Sequence, residues 1–269
     1  DNIQAAVDAA SDGDEIIVMP VQIYPQVAST CIDALKQLPS GTYQLEVELE
    51  QETVVCKLER FYTTTPNTQF VIGEQGKADT QFKFDTSKVT LLRGTVVGDA
   101  QSHVVLATYK EFLRGSITQL GRETIHLSEL GSGIQQTGRS PHLPLCQLDQ
   151  EKHYSTPRNF GEGTPSPPNQ YFKLKQAVET DYEFRQLFES TEDAAAYVVL
   201  CFGLINDIYL RDVHTNIELT YVRLWEDEND LFNQESPLGA FQKYWNENMQ
   251  KVDRNLAQFF SGRSNLPYG

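Results

Sequence analysis

Hydrophobic and polar residues alternate one by one after Gly41, a pattern that predicts a β-strand with one buried and one solvated face. A second alternating run follows, and the polar stretch Glu50–Glu52 between the two runs favours a hairpin. The apolar positions are Tyr43, Leu45, Val47 and Leu49 in the first run and Val54, Cys56 and Leu58 in the second. Further short strands are predicted at Phe70–Ile72, Phe82–Phe84, Val89–Val97, Val104–Thr108 and around Ile117. Residues 41–152 are therefore expected to form a β-rich domain whose neighbouring strands are antiparallel.

A proline-rich segment follows the predicted strands. Residues 153–169 contain Pro157, Pro165, Pro167 and Pro168 and few side chains that can pack. Such a stretch is typical of an exposed boundary between domains, where proteases cut most readily. We therefore predict a linker at 153–169 that separates the β-rich domain from a second domain at 170–269.

Beyond the linker, apolar residues recur at the spacing of helices. Ser190 or Thr191 is suited to cap a long helix, because Glu192 and Asp193 then place negative charge in its first turn. A second helix is predicted to begin at Ser236-Pro237, since proline is tolerated at the first helical position. The predicted buried faces are Tyr197, Cys201, Leu204, Ile205 and Ile208 in the first helix and Leu238, Phe241, Trp245, Met249 and Val252 in the second.

Three strands are predicted around these two helices. They span Tyr171–Val178, Ile217–Trp225 and Leu256–Phe260. The order strand, helix, strand, helix, strand predicts a layered α/β domain with parallel strands in a covered sheet. The fold class expected for the whole chain is therefore α+β, with a β-rich domain followed by a layered α/β domain.

The composition excludes several classes of function. The chain has 269 residues, 39% hydrophobic and 22% charged, which is typical of a folded globular protein. The formal net charge of −15 and the lack of a basic stripe argue against a nucleic-acid partner. The longest apolar run, Ala194–Ile205, is much shorter than the roughly 20 residues that span a bilayer, so no transmembrane segment is expected.

The first forty residues have an uncertain affiliation. Residues 1–20 predict a short helix, a polar turn and an apolar strand, a pattern that resembles the cap of right-handed parallel β-helices of the pectin-lyase type. No repeat follows, although such folds need many stacked coils. The chain begins at Asp1 without a signal-peptide pattern, so we expect it to be a piece of a longer protein.

Several sequence blocks resemble reprolysin-like (adamalysin-type) metzincin zinc peptidases. In the second region these blocks are QAVETDYEFRQLF, NDIYLRDV, IELTYVRLW, LGAFQKYWNENM and NLAQFFSGR, in that order. In the first region, LPSGTYQLEVELEQETVV and LLRGTVVGDAQSHVVLA are similar to the β-rich propeptide that precedes such catalytic domains. The resemblance covers roughly residues 40–269.

The resemblance implies a secreted or cell-surface zinc endopeptidase made with an inhibitory propeptide. Such enzymes hold zinc with the histidines of H-E-x-x-H-x-x-G-x-x-H, and they act on protein or peptide substrates. The five histidines here, His103, His126, His142, His153 and His214, do not form that motif. The chain is therefore expected to be the propeptide and the N-terminal half of a partial three-layer catalytic domain, cut before the motif. No catalytic residue is assigned, and no zinc is expected to bind to this chain alone.

Cys146 is the one candidate metal ligand. Related propeptides place a cysteine near this point, where its thiolate fills the fourth zinc position in the zymogen, and zinc favours thiolate ligands. The alternative is a free cysteine without a metal. His142 and His153 flank Cys146, but the spacing matches no common zinc pattern.

The other chemically notable residues have simpler interpretations. Cys31 and Cys56 are close enough in sequence to make a disulfide possible, although spacing alone does not decide it. Cys201 is interpreted as a small core residue, and His214 as a residue favoured at a helix C-terminus. The acidic run 226–230 lacks the features of a calcium loop and is expected to be a solvated loop.

Two alternatives to a peptidase zymogen remain. One is a pseudo-peptidase or binding module without catalysis, and the other is a carbohydrate-active β-helix protein. If residues 170–269 are half of a domain, Trp225, Phe241, Trp245 and Phe259 are expected to have exposed faces. The strand Leu256–Phe260 is then expected to be an open edge that pairs with another chain, and the α/β part to be the less stable one.

Overall fold

The structure is a computed structural model that describes residues 36–38, 41–48, 53–110, 112–122, 124–129, 134–139, 171–234 and 236–263. Three α-helices lie in these ranges: α1 (Tyr182–Gln186), α2 (Thr191–Val213) and α3 (Pro237–Asn248). The strands before the linker are β1 (Lys36–Gln37), β2 (Tyr43–Glu48), β3 (Thr53–Phe61), β4 (Thr64–Gly73), β5 (Thr80–Gln81), β6 (Thr90–Val96), β7 (Asp99–Tyr109), β8 (Phe112–Thr118), β9 (Ile125–Glu129) and β10 (Ile134–Arg139). The strands after it are β11 (Phe172–Thr180), β12 (Thr215–Trp225) and β13 (Leu256–Phe260).

The first sheet is antiparallel and has eight strands in the order β1-β2-β3-β6-β7-β8-β9-β10. The predicted hairpin is confirmed, since β2 pairs with β3 and Leu45 lies opposite Cys56. The alternation predicted from the sequence puts one set of apolar side chains into a separate core on one face of this sheet. That core contains Leu45, Val47, Val54, Cys56, Leu58, Leu92, Val104, Leu106, Leu113, Ile117 and Leu127.

The second sheet has the order β13-β11-β12-β4-β5. The pairs β13–β11, β11–β12 and β12–β4 are parallel, and β4–β5 is antiparallel. The parallel pairing of β11 to β13 was predicted from the alternation of strands and helices. Helix α3 covers one face of the sheet, where Phe241 and Trp245 pack against Tyr221 and Trp225. Helix α2 covers the other face. The molecule contains both sheets and helices and is rich in strands, so the α+β class is confirmed at that level.

Strand β4 connects the two regions of the chain. It follows β3 after only two residues, yet it leaves the first sheet and pairs with β12, with Phe70 opposite Val222 and Gly73 opposite Trp225. The Thr68 hydroxyl donates a hydrogen bond to the Leu219 carbonyl at 2.6 Å. Strands β4 and β5 of the first region therefore share a sheet with β11, β12 and β13. The bounds 41–152 and 170–269 of the two domains stay a prediction. The predicted linker 153–169 and the segment 1–35 lie outside the described residues.

Helix α2 lies between the two sheets. Residues of α2 form one hydrophobic core with Phe61, Leu91 and Val105 of the first region and with Leu219 and Val222 of β12. The predicted cap is confirmed, because the Ser190 hydroxyl accepts a hydrogen bond from the Asp193 amide, and His214 ends the helix with a φ of 51°. Gly203 allows α2 to approach β6 closely, since a Cβ at this position would overlap the Leu91 side chain.

The predicted stripe of α2 is not its most buried face. Tyr197, Leu204 and Ile205 are partly buried and pack against the edge of the core, Cys201 is partly buried, and Ile208 is 47% exposed. The buried apolar residues of α2 are instead Ala194, Ala195, Ala196, Val198, Val199, Leu200 and Phe202. A helix between two sheets is covered on two sides, so its most buried residues do not follow a single stripe.

By length and composition alone, α2 is apolar enough to cross a membrane. In the fold it is instead a core helix, and 56% of its apolar window is buried inside the protein. The described ranges of the chain thus contain no clear transmembrane segment.

Candidate functional site

An apolar groove runs along the free edge of β13. It has a volume of about 810 Å³ and is lined by residues from both layers that flank the sheet. On the α2 side these include Phe188, Tyr197 and Ile205, and on the α3 side Leu238 and Phe241. The partly buried residues of α2, Tyr197, Cys201 and Ile205, therefore face this groove. The lining is mostly apolar, so the groove is suited to binding a hydrophobic chain segment.

Asp181 fixes the end of β13 beside this groove. Its carboxylate caps α1 by accepting a hydrogen bond from the Phe184 amide at 2.7 Å, and it accepts another from the Gly262 amide at 2.9 Å. The Ser261 hydroxyl also donates to Asp181. Asp181 is only 1% exposed, so these donors replace the water that a buried carboxylate loses.

The loop after β12 holds the same region from the other side. Asp230 accepts hydrogen bonds from the backbone amides of Tyr182 at 2.7 Å and Phe232 at 2.6 Å. The Arg263 guanidinium donates to the carbonyls of Phe232 and Gln234. The chain that leaves β13 is therefore attached to α1 and to this loop, and Ser261 is the last residue of the groove lining.

A buried charged cluster lies under α3, on the opposite side of β11 and β12 from α2. Glu179 of β11 has no exposed surface, and its carboxylate accepts hydrogen bonds from the indoles of Trp225 and Trp245, both at 2.9 Å. The Arg223 guanidinium lies 3.4 Å from Glu179 and 2.7 Å from Asp79. The Tyr221 hydroxyl donates to Asp79 at 2.6 Å. Asp79 precedes β5, so the cluster joins the first region of the chain to β11 and β12.

Burial governs the protonation of this cluster. It raises the pKa of Glu179 to about 7, because Arg223 and the two indoles only partly offset the loss of water. Burial disfavours the charge of Arg223, yet Glu179 and Asp79 more than compensate and raise its pKa. Burial and the bond to Asp79 raise the pKa of Tyr221. Glu179 is thus the group of this cluster that changes charge near neutral pH.

Glu179→Gln is expected to remove a pH dependence of stability. The pKa of Glu179 is higher in the folded state than in the unfolded one, so its contribution to stability is full at low pH and is lost as the pH rises through about 7. The stability of the wild type relative to Glu179→Gln should therefore fall by on the order of 2 kcal/mol between pH 5 and pH 8. Urea unfolding at both pH values measures this difference.

Glu228→Gln is the matched control for this measurement, because Glu228 is exposed. Its stability relative to the wild type should change little between the two pH values. A pH-independent difference between the wild type and Glu179→Gln would show that Glu179 does not titrate in this range.

The histidines of the described ranges are not gathered at one site. The His103 imidazole of β7 bonds to the buried carboxylate of Asp207 of α2 at 2.5 Å, and this contact joins the two regions. His126 lies in β9, and His214 ends α2, as predicted. The candidates Cys146, His142 and His153 lie outside the described residues, so the proposed zinc thiolate stays a prediction.

The described cysteines are free thiols. Cys56 has no exposed surface, and burial raises its pKa to about 11, so it is a core residue. Its possible partner Cys31 lies outside the described residues. Cys201 is partly buried on α2 and lines the groove, and burial raises its pKa. Neither thiol is ionised at neutral pH, so neither is set up as a nucleophile.

The acidic run 226–230 makes structural contacts at its two ends, because Glu226 accepts a hydrogen bond from the Thr191 hydroxyl and Asp230 accepts hydrogen bonds from backbone amides. Asp227 accepts hydrogen bonds from Asn229, and Glu226 and Glu228 are exposed, as expected of a solvated loop. Asp230 differs, because it is buried and binds backbone amides. Within the described ranges, no three His, Cys, Asp or Glu side chains come together in a way that could hold a metal ion.

No model of a known protein family matches the sequence, and no curated protein matches it.

Proposed function

We propose that this chain is the propeptide and the N-terminal half of the catalytic domain of a secreted zinc endopeptidase zymogen. In this proposal the β-rich region, residues 41–152, stays attached to the α/β region, residues 170–269, even after a protease cuts the linker at 153–169, and activation also requires removal of the β-rich region. Zinc and the water that it activates belong to a part of the domain beyond these residues. The substrates are proteins or peptides.

The proposal is supported first by the α/β region. Its strands and helices follow the order predicted from the hydrophobic pattern of residues 170–269, and β13, β11 and β12 are parallel. The helices α2 and α3 cover opposite faces of the sheet, which gives the layered arrangement of an α/β domain.

The observation that carries the proposal is the way in which the β-rich region attaches to the α/β region. Strand β4 extends the parallel sheet at β12, so the attachment uses backbone hydrogen bonds as well as side chains. Three polar contacts add to it around α2: Lys88 with Glu192 at 2.7 Å, Lys110 with Asp193 at 2.5 Å, and His103 with Asp207 at 2.5 Å. An inhibitory propeptide needs a tight intramolecular attachment of this kind.

Expression of the whole reading frame that contains this segment tests the proposal. We expect equimolar zinc by elemental analysis and little hydrolysis of casein before cleavage. Cleavage within 153–169 and removal of the β-rich fragment should then produce hydrolysis that a chelator abolishes. The same frame should encode an H-E-x-x-H motif after residue 269.

The second candidate is a binding module without catalysis. It is favoured by the lack of H-E-x-x-H in these 269 residues and by the apolar groove at β13. A whole reading frame without the motif, and without zinc or proteolysis, would decide for the binding module and against the zymogen.

For this chain by itself, we expect no peptidase activity and no stoichiometric catalytic zinc. A catalytic zinc site generally needs three protein ligands, and the sequence lacks the histidine triad of the family that it resembles. Elemental analysis of the purified chain and a casein digestion assay measure both properties. Equimolar zinc together with chelator-sensitive proteolysis would contradict this expectation.

A further inference from the structure

Strand β13 is an open edge without the usual protection against pairing. It is the last strand of its sheet and pairs only with β11 among the described strands. Its five residues, Leu256–Phe260, carry no charge and no proline. The opposite edge of the same sheet, β5, has only two residues. Natural edges are generally protected by charge, proline or short length, so β13 is the edge suited to strand addition.

The backbone groups that face the open side of β13 can be assigned. The Phe260 carbonyl accepts a hydrogen bond from the Asp181 amide, so Phe260 faces β11. Backbone groups point to opposite sides at successive residues, and therefore Gln258 also faces β11. Ala257 and Phe259 then direct their N–H and C=O groups outward. A strand added at this edge would bond to Ala257 and Phe259.

The sequence of β13 is complementary to itself in an antiparallel arrangement. A two-fold axis at Gln258 places Ala257 opposite Phe259 and Leu256 opposite Phe260, so each large side chain meets a smaller one. Both copies of Ala257 and Phe259 then form hydrogen-bonded pairs across the axis. Gln258 lies opposite its own copy in a pair without backbone hydrogen bonds.

Apolar surface on both sides of the edge would be covered by a second copy. Leu187 is 65% exposed and Leu238 is 48% exposed, and they border the groove from the α1 and α3 sides. Leu256 of β13 itself is 53% exposed. Within the described residues, this apolar surface is therefore exposed on both sides of the edge.

We propose that β13 binds a second copy of this chain through antiparallel pairing about a two-fold axis at Gln258, which joins two five-stranded sheets into one. The proposal does not rest on the zymogen function. Its readout is the association state of this chain, so its failure would leave the zinc content and activity of the whole reading frame untouched.

Charge substitutions at the axis test the register. Gln258→Lys and Gln258→Glu each place like charges opposite each other, and each is expected to weaken the dimer about fivefold. An equimolar mixture of the two variants should restore association to the level of the wild type or above it. Sedimentation velocity over a concentration series measures all three. Gln101→Lys, an exposed change in β7, is the control and should dimerise like the wild type.

Ala257→Pro provides a second test. It removes an outward N–H from both sides of the axis without touching the bonds to β11, so we expect a monomer with an unchanged circular dichroism spectrum. A wild-type chain that is monomeric at every concentration would overturn the proposal. A dimer that neither the two charge variants nor Ala257→Pro weakens would also overturn it, because another surface would then be responsible.

Discussion

Replacement of Arg223 with methionine is expected to lower the free energy of unfolding at pH 8 by about 3–5 kcal/mol. The side chain of Arg223 is only 3% exposed and is the cation between the carboxylates of Glu179 and Asp79. Methionine fills a similar volume but leaves both carboxylates without a charged partner inside the protein. The loss of unfolding free energy should be smaller at pH 5, because Glu179 is then protonated and neutral and has no charge for Arg223 to compensate. Urea unfolding at the two pH values measures the effect.

Arg211→Met is the matched control for Arg223→Met. Arg211 forms an ion pair with its neighbour Asp212 at 2.6 Å, but its side chain is 42% exposed. Loss of such a surface pair costs at most about 1 kcal/mol. If the two variants lose the same stability, the buried cluster does not have the role that its geometry indicates.

Gly262→Ala is the second substitution for which we expect a large effect, a loss of about 2–4 kcal/mol. A Cβ at Gly262 would overlap the backbone of Glu183 and the amide of Phe184, neither of which can move as a side chain can. The Gly262 amide would also be displaced from Asp181, which is buried and needs its donors. Thermal and urea unfolding measure the loss.

Gly239→Ala is the control for Gly262→Ala. Gly239 lies in α3, and a Cβ there would meet only the Ser236 side chain, which can move. Alanine is the better helix former by up to about 1 kcal/mol, so Gly239→Ala should be as stable as the wild type or more stable. A Gly262→Ala protein with wild-type stability would show that the chain after β13 is not held against α1.

Local rules predicted several elements correctly. The strand Leu256–Phe260, the Ser190 cap and the proline at the start of α3 all follow from residues close in sequence. The antiparallel pairing of β2 with β3 followed from alternation and a short turn. These features depend on neighbouring residues, so a single sequence contains the information that is needed.

Features that depend on distant residues were predicted poorly. Nothing in the sequence of β4 indicates that it leaves β3 and pairs with β12, about 150 residues later. The predicted strand Phe82–Phe84 was wrong, because these residues lie beyond the two-residue strand β5 and pack at the edge of the core instead.

The buried charged cluster around Glu179 was not predicted from the sequence. Glu179 stands among residues that are all buried, and only the partners Trp225, Trp245 and Arg223 make a carboxylate tolerable there. Trp225, Phe241, Trp245 and Phe259 were expected to have exposed faces. The first three pack together with Phe232 and each is at most 7% exposed, whereas Phe259 is partly exposed at the groove. Both errors arose because packing between segments far apart in sequence decides the burial.

The β-rich region is attached to the α/β region through β4 and the core around α2. Insertion of a site-specific protease recognition sequence within 153–169, followed by cleavage of the folded chain, separates the two regions covalently. On size-exclusion chromatography at neutral pH, we expect both fragments to elute together at the volume of the uncut chain, and to separate only in denaturant. Two separate peaks at neutral pH, each a folded fragment, would contradict the claim.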